Sequence, residues 1–247
     1  MSNSSGTARP TGELGLQVIR ASDSEIRGQF DQLAALSSWP AKELSLAEIA
    51  YYGLPRKGLD ERVNAWRTAN FRNLMRGARK ALLARTLRLS NFYGSLYLTH
   101  IRADGEVVEL GLASMRVVTT AGVNYIVDAF QTSTSVELEN MKFHGIGTSS
   151  TGDVVGDTAL GAESTTALNP DSTRATGSTT EGASANIYRT VGTLTADASI
   201  AAVEHGIFST ATTGTGTLLD RSTFTVVNLA SGDSLQATYD LTVSAGG

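Results

Sequence analysis

The chain has 247 residues, no cysteine, and 20 basic against 24 acidic side chains, a net charge of −4. That length supports one large domain or two small ones with a buried core, and the lack of thiols excludes disulfides and thiolate metal sites, as suits a reducing compartment. No apolar run approaches the roughly 20 residues a membrane helix needs, and the polar opening MSNSSGTARPTG has no signal-peptide core, so neither membrane insertion nor secretion by that route is expected.

The first dozen residues are small and polar, and a flexible tail is expected over 1–20. Ser22 to Glu25 can cap a helix carrying Ile26, Phe30, Leu33 and Leu36, ending before Pro40. Leu44, Leu46, Ile49 and Ala50 predict a second, short helix stopped by Gly53 and Pro55. In a third and longest helix, Leu59, Val63, Trp66, Phe71, Leu74, Met75, Ala78 and Leu82 recur at spacings of three to five, with most arginines on the other faces. Together these predict a basic helical arm over 21–90.

From Asn91 the period changes to two. Tyr97 to Ile101 and Val107 to Leu112 flank Asp104-Gly105, a tight-hairpin signal, and Met115 to Thr119 continues as strand. Residues 120–130 return to helical spacing. There Val123, Ile126, Val127 and Phe130 share one face, which is expected to pack across the sheet. Phe143 to Gly147 reads as a short strand. Residues 148–183, mostly Gly, Ser, Thr and Ala, read as long loops with a turn at Asn169-Pro170 and a turn of helix near Thr158 to Glu163. Strands resume over Asn186 to Leu194, Ile200 to Ser209 and Thr217 to Leu229. The last is the clearest: Leu235, Ala237, Tyr239, Leu241, Val243 and Ala245 alternate with polar residues. The expected fold class is α+β, a helical arm followed by a mainly antiparallel β-sandwich or jelly-roll-like domain over 91–247 with one packed helix.

Charge is unevenly spread. Between Arg56 and Arg88 ten basic residues face only Asp60 and Glu61, whereas beyond Phe130 four basic residues face twelve acidic ones. A basic segment on an acidic body points to docking on an oppositely charged partner. Arg67, Arg72, Arg76, Arg79, Lys80, Arg85 and Arg88 are the candidate partner-contact residues. Leu46 to Ala50, a turn at Gly53 to Pro55 and a helix from Leu59 have helix-turn-helix spacing. Acids stand where base contacts would lie, so the arginines suit phosphate or protein contact better than base readout, and nucleic-acid binding is the weaker reading.

Candidate chemistry is sparse. His100, His144 and His205 all fall in predicted strands without metal-ligand or triad spacing. His144 and His205 would act as a metal site or base only if the fold joined them, and hydrogen-bonded strand histidines are the expectation. The loop from Gly152 to Glu163 has three carboxylates but no EF-hand pattern, so Asp153 and Asp157 are expected to serve turns. No residue is singled out as catalytic, cofactor-binding or metal-binding.

The phrases Tyr-Gly-Ser-Leu-Tyr-Leu-Thr-His100, Arg116-Val-Val-Thr-Thr-Ala-Gly-Val, Lys142-Phe-His-Gly-Ile-Gly-Thr148, Gly156-Asp-Thr-Ala-Leu160, Glu181-Gly-Ala-Ser-Ala-Asn-Ile-Tyr-Arg189, Glu204-His-Gly-Ile-Phe208 and Ser231-Gly-Asp-Ser-Leu-Gln236 resemble a group of small tailed-bacteriophage virion structural proteins. The resemblance covers Asn91 to Gly247 and implies a β-rich particle component, with no activity or cofactor to carry over. The expected role is a capsid decoration or cement protein that binds the major capsid protein or other virion proteins as a homo-oligomer or multicopy array. It would reside in the virion after assembly in the host cytoplasm. A tail fibre, adaptor or host-contact module is the alternative, and a nucleic-acid-binding protein or a glycan-degrading enzyme comes after it.

Overall fold

The computed structural model describes residues 49–86, 91–131 and 137–244. The helix expected over 22–36, most of the next one, Arg88 and Ala245 lie outside them, as do the side chains of Lys80 and Arg85. A π-helical turn, Ile49–Gly53, leads to helix α1, Glu61–Thr86. Strands β1, Asn91–Ile101, and β2, Val107–Val117, form the hairpin signalled by Asp104-Gly105, with Gly105 at a φ of 89°. Helix α2 is Thr120–Asp128. It is followed by β3 (Phe143–Gly147), the two-residue strands β4 (Leu168–Asn169), β5 (Ala175–Thr176) and β6 (Thr180–Glu181), then β7 (Ile187–Ala196), β8 (Ile200–Phe208), β9 (Leu218–Leu229) and β10 (Ser234–Ser244).

The fold is α+β, two antiparallel sheets face to face. One runs β2-β1-β10-β7-β4 with β6 also against β7, and the other runs β5-β3-β8-β9. The alternation read in β10 holds from Leu235 to Leu241 but not beyond, where Val243 is exposed and Asp240 and Thr242 are buried: Leu235, Ala237, Tyr239 and Leu241 are buried, and the first two join Leu96, Leu98, Ile146, Leu194, Ala202, Phe224 and Val227 in a core fed by both sheets. Such burial contributes about 1.5–3 kcal/mol for each large aliphatic or aromatic side chain, which makes this layer the main source of stability.

Residues 49–86 are not the separate arm expected from the period. Ile49, Ala50, Leu54, Phe71, Leu74, Met75 and Ala78 share a buried cluster with Tyr93, Leu112 and Met115 of β1 and β2. The reason lies at the strand edges. The β1–β2 register slips twice, between Leu96 and Tyr97 and between Leu98 and Thr99, which leaves Ala113 and Leu110 without ladder partners. Arg67 Nε donates to Leu110 O at 2.8 Å and Asn70 Nδ2 to Ala113 O at 2.6 Å. Asn70 Oδ1 accepts from Thr225 N of β9 at 2.8 Å, and Trp66 Nε1 donates to Thr225 O at 3.1 Å. One face of α1 therefore closes the edges of both sheets, doing with side chains what a further strand would do with its backbone.

The long loop is not open either, and no turn of helix forms near Thr158. The Glu204 carboxylate accepts from the backbone N–H of Ser149, Gly161 and Ala162 and is held by Arg221. Residues 148–163 are thereby folded onto the outer face of the second sheet, where Leu160 packs on Phe208 and Leu218.

Asn70 is 1% exposed, and cutting it to alanine leaves a donor and an acceptor unsatisfied, which costs about 2–4 kcal/mol. Urea unfolding of Asn70→Ala should show that loss, with Ala69→Lys on the exposed face within about 0.5 kcal/mol of the native chain. Equal stabilities for the two variants would show that α1 does not hold the edges.

Candidate interaction surface

Most buried ionisable side chains among the described residues bond one another or the backbone. The fold does bring His144 and His205 together: Nδ1 of the first lies 3.0 Å from Nε2 of the second, at 0% and 1% exposure, and His144 Nε2 lies 3.0 Å from Thr190 Oγ1 of the opposite sheet. One ring must donate and the other accept, so the pair cannot be doubly charged. Burial lowers the pKa of His144 to about 3 and, together with its neighbour, holds His205 well below the usual range. Among the described residues no group of three or more His, Cys, Asp or Glu side chains is placed to hold a metal ion. The pair joins the two sheets, as the expectation of hydrogen-bonded strand histidines had it.

His100 Nε2 lies 2.9 Å from Asp233 Oδ2, beside an open groove of about 500 Å³ that both residues line. Asp233 also accepts from the N–H of Ala103 and Ala230, which ties the last turn to the first hairpin. Asp157 accepts from the N–H of Val154 and pairs with Arg221, and so serves the turn as expected, whereas Asp153 does not: its carboxylate is held by Arg116, Arg76 and Thr223 Oγ1 and anchors the loop to α1 and the strands. Asp220 is held between the sheets by Tyr239 Oη at 3.0 Å, where Gly94 leaves room for it. Burial raises its pKa to about 7, against the opposing pull of Tyr239 and Arg116.

The candidate arginines separate by helix face. Arg67 is 3% exposed, and its guanidinium donates to the carbonyls of Leu110, Tyr51 and Leu54. Burial and the nearby Arg56 lower its pKa to about 10. It is part of the edge closure and not an outward contact, because a bulged strand needs donors where the sequence shows only a helix. Arg76 is half exposed and donates to Asp153 and Thr223, which ties α1 to the 148–163 loop and β9. Arg72 and Arg79 lie on the exposed face.

Helix α2 packs only in part as expected: of the four residues read as one buried face, Ile126 alone reaches the core. Its buried contacts are Gly122, Tyr125 and Ile126, while Val123, Val127 and Phe130 face outward, the last two at 53% and 81% exposure. Gly122 decides this. A Cβ there would meet Leu219 O at 2.7 Å, so only glycine lets the helix close on β9, with Thr119 capping Gly122 N and donating to Leu218 O. The stronger apolar face is then left in solvent.

Val123, Val127 and Phe130 make a ridge at i, i+4, i+7. Leu138 is also exposed, in the turn that Tyr125 Oη fixes by bonding Glu137 O at 3.0 Å. Asp128, Glu137 and Glu139, the sequence neighbours of Val127 and Leu138, are exposed as well. An exposed aliphatic and aromatic ridge with acids beside it in sequence has the composition of a protein contact. No protein-family model matches the chain, and no curated protein matches it.

The buried carboxyl of Asp220 gives a pH test. Its folded pKa of about 7 lies above the ordinary 3.8, so the folded chain holds a proton that the unfolded chain releases between those values. Stability from this group is complete below about pH 4, declines as pH rises through 7, and levels off once the folded carboxyl is ionised as well. Urea melts of Asp220→Asn should gain on the native chain steadily from pH 4 to pH 8. A difference independent of pH would show that the carboxyl is ionised in the fold.

Proposed function

We propose that the protein is a structural component of a bacteriophage virion, a capsid decoration or cement protein that binds the major capsid protein and stabilises the head. The carrying observation is the exposed apolar ridge of Val123, Val127 and Phe130, on a sandwich most of whose buried ionisable side chains are paired within the fold. A protein that exposes Phe130 while burying hydrogen-bonded arginine and histidine is organised for attachment. The resemblance of residues 91–247 to tailed-phage virion proteins supplies the setting. A tail location is the second reading.

On a shell, many modest contacts add through effective concentration, so a ridge of this size suffices when each copy has neighbours. The role is structural, and the chain contributes stiffness and contact area. No helix among the described residues is long and apolar enough to cross a membrane.

The proposal is tested by cosedimentation with DNA-free heads and, separately, tails of the phage that encodes the chain. The full chain should bind heads saturably and delay their rupture on heating. Binding to tails alone would move the protein to the tail reading. Binding to neither would end the virion proposal.

A further inference from the structure

Tyr51, Tyr52 and Tyr97 meet where the π-helical turn stands against the first sheet. Tyr51 and Tyr52 are 47% and 44% exposed. The Tyr52 ring stands across the other two. Its centroid lies 4.8 Å from that of Tyr51 at 76°, and 6.1 Å from that of Tyr97 at 86°. This aromatic corner is held from behind. Arg67 Nη1 donates to Tyr51 O at 3.0 Å, and the Arg56 guanidinium lies over the Tyr51 ring, 3.6 Å from its centroid. The turn reaches the strand because position 111 is glycine, where a Cβ would collide with Tyr52 O. Exposed aromatic rings on a fixed scaffold mark a recognition surface.

Beside the corner lies the outer face of the sheet. Leu96, Leu98, Leu235 and Ala237 point into the core, so Tyr97, Thr99, Gln236 and Thr238 point outward, each half-buried. Tyr97 stands opposite Thr238, and Thr99 opposite Gln236, which in turn stands opposite the exposed Thr193 of β7. These positions carry hydroxyl and amide groups and no charge. Charge stands at the borders, with Glu109 opposite Thr99, and Arg189 closed on Asp240 by two bonds of 2.7 Å. The centre of a protein contact is apolar. Here an aromatic wall meets a floor of neutral donors and acceptors.

We propose that this corner is a binding site for neutral saccharides. A pyranose ring has an apolar face of C–H groups and a rim of hydroxyls, each of which donates and accepts. Its C–H face lies on the Tyr52 ring, and its rim bonds Thr99, Gln236 and Thr238, whose side chains also donate and accept. Strands are about 4.8 Å apart, so the floor from β1 to β7 is about 10 Å wide, room for a short saccharide. A site this small and open binds each copy weakly, with a Kd of about 1 mM. The site lies apart from the α2 ridge, and the inference goes beyond the attachment proposed above without depending on it.

The test titrates the full chain with tetrasaccharides of glucose, galactose, mannose and N-acetylglucosamine, with tetragalacturonate as the charged control, and reads binding by saturation-transfer NMR. At least one neutral probe should bind with a Kd at or below about 5 mM. That value should not change between about 0.05 and 0.5 M salt, since no charge is paired. Tyr52→Ala should weaken binding at least about fivefold, and Tyr52→Phe, which keeps the ring, by less than about twofold. Thr238→Val should also weaken it at least about fivefold, with a native urea midpoint, because it keeps the side-chain shape and removes one hydroxyl. Silence from every neutral probe up to about 10 mM overturns the proposal. So does preference for tetragalacturonate, or binding that survives both Tyr52→Ala and Thr238→Val. Phage heads that hold the native chain but not Tyr52→Ala, with no saccharide bound, would make the corner a protein contact and overturn it too.

Discussion

The structure depends on how the open edges of its two sheets are closed. Strand β9 has a strand neighbour on one side only, and β2 is bulged twice. Left alone, both would expose unpaired backbone groups and invite pairing with another chain. Asn70 answers both at once, donating to Ala113 O on β2 and accepting from Thr225 N on β9. Trp66 and Arg67 extend the same closure above it, and Thr119 completes it at the start of β9. The helix is thus fixed in rotation. Polar residues placed at the strand edges decide which side of α1 is buried, and therefore which arginines remain outside.

The interior uses polar groups where a sandwich of this size would ordinarily use aliphatic ones. Glu204 and Arg221 bind the 148–163 loop, Arg174 pairs with Glu163, and His144, Thr190 and His205 link the two sheets. Replacing such groups by apolar ones need not weaken a fold, but removing one partner strands the other. Their effect is to fix a loop rich in Gly, Ser and Thr that has few apolar side chains of its own. The surface this leaves is stiff, and stiffness lowers the entropy lost on docking.

Much of this was legible in the chain itself. The period of two in Leu235 to Leu241, the Asp104-Gly105 turn and the apolar series Val63, Phe71, Leu74, Met75 and Ala78 all report faces that are buried as read. What escaped depends on contacts distant in sequence. Arg67 reads as an outward partner contact, and Asn70 draws no notice, because the bulges that need their hydrogen bonds lie in β2, hinted at only by Gly111 with its φ of 86°. In α2 the residues Val123, Ile126, Val127 and Phe130 read as one buried face, yet the backbone of Leu219 admits only a glycine, so Gly122 turns the helix until Ile126 alone of that face packs. The loop looked free because its anchors, Glu204 and Arg221, come from strands forty residues on or more. The ridge could have been suspected from one signal, a glycine and a rich apolar face on opposite sides of a short helix.

The same segment that looked like a detachable basic arm is therefore half foundation and half surface. Native-state hydrogen exchange tests this most directly. If α1 closes the sheets, the Thr225 amide and the amides of α1 between residues 66 and 78 exchange only through the global unfolding that also releases the centre of β10, and their protection equals that of β10. Exchange of the α1 amides and Thr225 several orders of magnitude faster, with β10 still fully protected, would show an arm that comes away from a sandwich able to stand without it.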